Sequence, residues 1–211
     1  MRRIKLIVAY DGTEYSGWQI QPEAPTIEMC LDKAIHELTG ENVHVTGASR
    51  TDAGVHAYGN VAVFDTESTI PGDRFTFALN RFLPDSIVIQ DSWEVSGDFH
   101  PRHCNTRKTY EYRILNTAVP LPQKRNFTWH VTGSIDIEKM KEAAAYIVGE
   151  HDFKSFCANK RMKKSTVRTI YDIVFEETED KLTLHFYGNG FLYQMVRILA
   201  GTLIEVGEGK K

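Results

Sequence analysis

Apolar residues recur along this chain with two distinct periods, and each period predicts its own kind of element. Residues 3–10 (RIKLIVAY) are apolar and β-branched and end at Asp11 and Gly12, which predicts a central strand. Beyond a loop, Ile27, Leu31, Ala34, Ile35 and Leu38 return at helical spacing, with Thr26 in the capping position ahead of them and Gly40 behind. A short strand is expected over NVHVT (42–46) and a returning strand over YGNVAVFDT (58–66). A helix is expected over 73–83, stopped by Pro84, and a strand over SIVIQDSWEV (86–95).

The same plan starts again near residue 101. KTYEYRIL (108–115) alternates as a strand does, and a proline-containing loop follows at 116–126. Ile137, Met140, Ala144 and Ile147 predict a helix from Asp136 to Val148, closed by Gly149. VRTIYDIVFE (167–176) and KLTLHFY (181–187) read as an antiparallel pair joined across ETED. A long helix is expected from Phe191 to Val206, between Gly190 and Gly207. These elements predict an α+β protein of two halves, 1–100 and 101–211, that share one large, mainly antiparallel sheet with helices on one face. The natural place for a site is then a cleft where the halves meet, or the open face of the sheet.

Composition narrows the classes. The 211 residues are 42% apolar and 25% charged, ordinary for a globular protein, and no apolar run approaches the ~18 residues of a membrane span. Three widely spaced cysteines, Cys30, Cys104 and Cys157, suit a reducing cytoplasm better than a disulfide framework. The opening MRRIKLIVAYDG turns directly into a strand and is not a signal peptide. A net charge of −3 means that any nucleic acid must be met by a local basic surface. Two segments supply one: 100–130 holds six Lys or Arg against a single acidic residue, Glu111, and 154–170 holds six against none, with KRMKK at 160–164. Such runs bind phosphates or simply stay solvated. A dinucleotide or phosphate-loop glycine fingerprint is missing, which argues against a nucleotide-dependent small-molecule enzyme.

The stretch GASRTDAGVHA (47–57) is the strongest chemical signal. Small residues surround Arg50 and Asp52, two positions apart, so an extended backbone would send both side chains to one face. A carboxylate there can act as nucleophile, general base or metal ligand, or can merely bond its own backbone in a tight turn. The motif holds no second carboxylate, which disfavours paired-acid glycosidase chemistry and a divalent-metal cage. His56 has two readings, a phosphate contact or a structural hydrogen bond. Tyr15 and Trp18 either shape an entrance or anchor packing. Tyr110 shares a strand face with Lys108 and Tyr112, and Arg197 interrupts an otherwise apolar helix.

Five blocks, YDGTEYSGWQIQP (10–22), GASRTDAGVHAYGNVAVF (47–64), DFHPRHCNTRKTYEYRI (98–114), GEHDFKSF (149–156) and NGFLYQMVRILAGTLIEVGEG (189–209), closely resemble the tRNA pseudouridine synthase A family in the right order. The resemblance implies two RNA-recognition-like halves, a homodimer holding tRNA, and isomerisation of uridine to pseudouridine at positions 38, 39 and 40 of the anticodon arm, with no cofactor and no metal. It places the catalytic aspartate on Asp52, the active-site tyrosine on Tyr110 and the carboxylate's arginine partner on Arg197. Arg50 falls on the motif arginine assigned to the RNA backbone. His56, Arg102, Arg107, Lys108, Lys160, Arg161, Lys163 and Lys164 complete the expected RNA-contacting set. Family members continue past the GEG segment with a further helix and strand, so the 211-residue chain is expected to lack them. The competing readings are a non-catalytic RNA-binding module and a pseudouridine synthase acting on another RNA.

Overall fold

The computed structural model describes residues 1–103 and 107–211; Cys104, one of the three cysteines read above, lies outside the described residues, together with positions 105 and 106 of the 98–114 block. The chain divides into two compact units, Met1–Cys104 and Asn105–Lys211.

In the first unit β1 (Arg2–Tyr10) lies between β3 (Ala57–Thr66) and β4 (Ile87–Val95), and a two-residue β2 (Thr46–Gly47) borders β3; every pairing is antiparallel. Alternation along β1 buries Ile4, Leu6, Val8 and Tyr10 against helix α1 (Ile27–Thr39) and helix α2 (Phe75–Leu79). Helix α1 forms as its ends predict. The Thr26 hydroxyl accepts from the Met29 amide at 3.4 Å, and Gly40, in the left-handed region at φ 76°, returns its N–H to the His36 carbonyl.

Two expectations here are corrected. Residues 42–45 form no strand, because Asp32 on α1 takes the Val45 amide at 2.8 Å and removes a donor that a ladder would need. The expected helix over 73–83 contracts to α2 behind a 3-10 turn at Gly72–Arg74. Asn80 leaves the helical pattern to hold both backbone groups of Ile89, at 2.7 and 2.9 Å, so the chain turns early into β4.

In the second unit β5 (Lys108–Asn116), β8 (Val167–Glu177) and β9 (Lys181–Gly188) form an antiparallel centre, with β9 in the middle. Two short strands escape the periodicity argument. β6 (Trp129–Val131) runs parallel to β5, and the polar β7 (Gly149–Asp152) edges β8. Helix α3 (Ile137–Ala145), capped by Asp136, and helix α4 (Met195–Gly207) cover Ile170, Leu182, Leu184 and Phe186. Helix α3 stops three residues short of Val148 as its last amides tighten into a turn. Helix α4 begins at Met195 rather than Phe191, since Gln194 sits in the left-handed region at φ 57°. Ahead of it, the Asn189 amide goes to Thr169 and the Tyr193 carbonyl accepts from Ala158.

The α+β class and the mainly antiparallel pairing agree with the sequence. The single shared sheet does not. Among the described residues the ladders form a four-stranded and a five-stranded sheet, each inside one unit. Each sheet has its own helices and its own apolar cluster to close, so each half completes a core by itself.

Candidate active site

The loop that carries Asp52 leaves β2 at Gly47 and re-enters the sheet at β3. Its backbone is fastened to the segment 10–18 that follows β1. The Trp18 amide donates to the Thr51 carbonyl at 3.0 Å, and the Gly54 amide to the Tyr15 carbonyl at 3.2 Å. Underneath, the Tyr10 and Thr51 hydroxyls meet at 2.7 Å in a fully buried contact. Asn60 holds the other limb: it accepts from the Ser49 amide at 3.2 Å and donates to the Ser49 carbonyl at 3.0 Å, with Tyr10 Oη a further 3.4 Å acceptor.

Two glycines let the segments come this close. A Cβ on Gly47 would stand 2.4 Å from the Trp18 indole, and one on Gly17, whose φ is +93°, would stand 2.6 Å from the Thr51 carbonyl oxygen. Trp18 is fully buried and Tyr15 nearly so, with its hydroxyl 2.7 Å from that of Ser86. Both aromatic residues are therefore packing anchors, which decides the question the sequence left open. Asp52 itself is half-buried, and its carbonyl accepts from the Val55 amide at 3.2 Å, so the turn closes through backbone and leaves the carboxylate's role to its side-chain contacts.

Asn60 and Thr51 were not singled out by sequence. The signal for Asn60 was there: one amide in the apolar run VAVF and its flank marks a polar group that must be satisfied inside. Asn60→Ala removes the partners of the Ser49 backbone groups at a buried position. It is expected to lower unfolding free energy by about 2 kcal/mol, measured by denaturant titration, and to lower turnover with it.

The basic residues of the first unit divide by environment. Arg50 is exposed. His56 Nδ1 lies 3.2 Å from the Gly12 amide and 3.0 Å from Asp11 Oδ1. The two contacts call for different placements of the ring hydrogen, because a bare Nδ1 accepts from Gly12 and an Nδ1–H donates to Asp11. In either state the ring is tied to the end of β1. The Thr13 hydroxyl and amide hold the Asp11 carboxyl below the usual carboxylate range, with His56 adding to the effect. Arg102 donates Nε–H to the Gly47 carbonyl at 2.7 Å. Burial and the neighbouring Arg50 charge pull its basicity down, and Glu28 partly restores it.

In the second unit Tyr110 lies on β5 in register with Phe186 and packs on the core, with the Phe191 ring edge-on at 4.9 Å and 71°. Phe191, another residue not singled out by sequence, thus fixes the plane of the Tyr110 ring. Tyr112 shares the Tyr110 face by the two-residue period, and burial pushes its phenol up while the Arg197 charge draws it back. Arg197 is on the exposed side of α4. Lys108 begins the Tyr110 face, whereas Arg107 places its guanidinium 4.5 Å from the Tyr187 ring and 5.9 Å from that of Tyr171. Tyr187 pairs in register with Thr109, so Arg107 belongs to the face away from Tyr110. Lys160, Arg161, Lys163 and Lys164 stand exposed on the connection between β7 and β8. Among the described residues no helix is long and apolar enough to cross a membrane.

Comparison with known proteins adds the chemistry these parts serve elsewhere. The model of a family described as tRNA pseudouridine synthase matches residues 6–104 and 143–211. Proteins named tRNA pseudouridine synthase A from Acetivibrio thermocellus, Ruminiclostridium cellulolyticum and Thermoanaerobacter sp. (strain X514) are 51%, 50% and 48% identical to this chain. Each alignment covers 100% of this chain and 86% of the relative.

Proposed function

The chain belongs to the tRNA pseudouridine synthase family, and from that premise we propose that it isomerises uridine to pseudouridine at positions 38, 39 and 40 of the tRNA anticodon arm, with the Asp52 carboxylate as its catalytic group. The observation that carries the assignment is the immobilised loop: Asp52 sits in a backbone held by Trp18, Tyr15, Tyr10 and Asn60 rather than in a free surface turn. A group that must meet one atom of the target nucleotide needs such preorganisation.

The reaction cleaves the C1′–N1 bond, turns the uracil and joins C1′ to C5. C5 then gives up its proton and N1 gains one, so substrate and product are isomers and the balance needs no co-reactant. One carboxylate serves each route: attack on C1′, attack on C6, or proton removal at C2′ to give a glycal. Tyr110 is assigned the stack on the uracil, and its hydroxyl the handling of the C5 proton. Arg197 is assigned the counter-charge for the catalytic carboxylate. The target base leaves its stack to reach this group, at a cost of about a few kcal/mol that pocket contacts offset.

Arg50 and His56 take part at the loop, Lys108 at the Tyr110 face, and Lys160, Arg161, Lys163 and Lys164 meet phosphates along the arm. Arg102 and Arg107 complete the basic set from its margins. A homodimer that measures the tRNA body accounts for action at three neighbouring positions, and the setting is the cytoplasm. No cofactor or metal takes part.

Three measurements check this. Incubation with unmodified tRNA, followed by mapping of pseudouridine, is expected to mark positions 38–40; binding without modification would instead indicate an RNA-binding module, and modification of another RNA only would move the substrate. Tyr110→Phe keeps the stacking ring and loses the hydroxyl, so single-turnover rate should fall about 100-fold with tRNA affinity retained. A near-normal rate would make the hydroxyl dispensable. Changing Lys160, Arg161, Lys163 and Lys164 together to Gln should flatten the slope of log affinity against log salt by about 3.

A further inference from the structure

We infer that Arg102 is a positioning residue for the Asp52 loop: its Nε–H, held on the Gly47 carbonyl at 2.7 Å, fixes the hinge from which the carboxylate-bearing segment leaves β2. The inference rests on the proposed role of Asp52 and changes what Arg102 does, from phosphate contact to support.

Gly47 is clamped on every side that matters. A Cβ on it would stand 2.4 Å from the Trp18 indole, its strand position pairs with Ala62, and the next amide, Ala48, donates to Val61 at 2.7 Å. The carbonyl of Gly47 accepts from the guanidinium of Arg102. The donor is itself mounted rigidly. Arg102 rides on a turn in which Phe99 N–H bonds Ser96 and His103 N–H bonds His100. Arg3 of β1 fastens that turn by donating to the Gly97 and Phe99 carbonyls at 2.6 and 2.9 Å, while it grips Asp65 through two 2.7 Å contacts. A planar Nε–H on such a mount has a direction that a lysine ammonium lacks.

The charges around it are consistent with support. Glu28, 3% exposed on α1, accepts from the Ile20 amide at 3.0 Å and sets a fixed negative charge near the Arg102 guanidinium. Arg50, three residues beyond Gly47, is exposed and repels Arg102. One arginine therefore bonds the protein backbone, and the other is exposed, as the phosphate contact proposed for it requires.

The test compares the full chain with Arg102→Met and Arg102→Lys. Four quantities are read: single-turnover rate at saturating unmodified tRNA, tRNA affinity, its salt slope, and amide exchange over 48–54. Arg102→Met should slow the chemical step about 100-fold and speed local exchange, with affinity within about twofold and an unchanged salt slope. Arg102→Lys should recover part of the rate. Weakened binding with a salt slope smaller by about 1 and a normal saturated rate would make Arg102 a phosphate contact and overturn the inference. So would wild-type rate and exchange in Arg102→Met. Should the methionine variant not fold, the lysine variant is read by the same criteria. If the wild-type chain itself forms no pseudouridine, the activity reading fails, and exchange over 48–54 still decides the support role.

Discussion

Asp52→Asn should abolish pseudouridine formation, by at least about 10⁴-fold in single-turnover rate, while the chain still binds tRNA within about threefold of wild type. The asparagine is isosteric and keeps a hydrogen-bonding side chain, so the loop contacts of Thr51, Gly54 and Ser49, all made by backbone or by neighbours, stay in place. What is lost is the negative charge and the lone pair that bonds carbon or accepts a proton. Every route written above fails together on that loss. The proposed phosphate contacts come from cations on other segments, so binding should survive. Substantial isomerisation by this variant would reject the nucleophile and the base assignments at once.

Gly17→Ala should unfold the site from beneath, at a cost of about 3 kcal/mol in unfolding free energy. Two penalties add. The backbone at φ +93° is one that an L side chain rarely adopts, and the new methyl would stand 2.6 Å from the Thr51 carbonyl and 3.1 Å from the Asp52 carbonyl carbon. Neither atom can yield without moving Asp52. Denaturant midpoints and turnover should therefore fall in the same variant. An alanine variant of wild-type stability and rate would show that the 10–18 segment does not hold the carboxylate loop.

Much of this architecture is written in local pattern. Thr26 and Gly40 mark the ends of α1 because capping chemistry is confined to a few residues. β1 announces itself by the apolar, β-branched run 3–10 and β5 by the alternation over 108–115. What escaped is decided by contacts across the sequence. Val45 looked like strand until Asp32, thirteen positions away, claimed its amide. Asn80 ended α2 by reaching Ile89. β6 and β7 are three and four residues long, too short for a period to register. The division into two sheets was equally out of reach, since apolar alternation says which face is buried and not which strand lies alongside.

The site shows the same split. Asp52 stood out as a carboxylate among small residues, with a tight-turn reading beside the catalytic one, and the resemblance assigned it a role. Its support did not stand out. Asn60 was one polar residue in a strand, Phe191 one more aromatic, and Arg102 one more cation in a basic segment. The chain bonds Arg102 to the Gly47 carbonyl and ties His56 to Asp11 and Gly12, contacts that a count of basic residues does not reveal. Lys160, Arg161, Lys163 and Lys164 stand exposed on the connection between β7 and β8, as a charged run in the sequence suggests.

The most direct measurement of the central claim follows the hydrogen that the reaction must displace. With tRNA tritiated at C5 of its uridines, the wild-type chain should release label to water in step with pseudouridine appearing at positions 38–40, and no release should occur with Asp52→Asn. Stable tRNA binding by the wild-type chain with the C5 label fully retained would contradict the account.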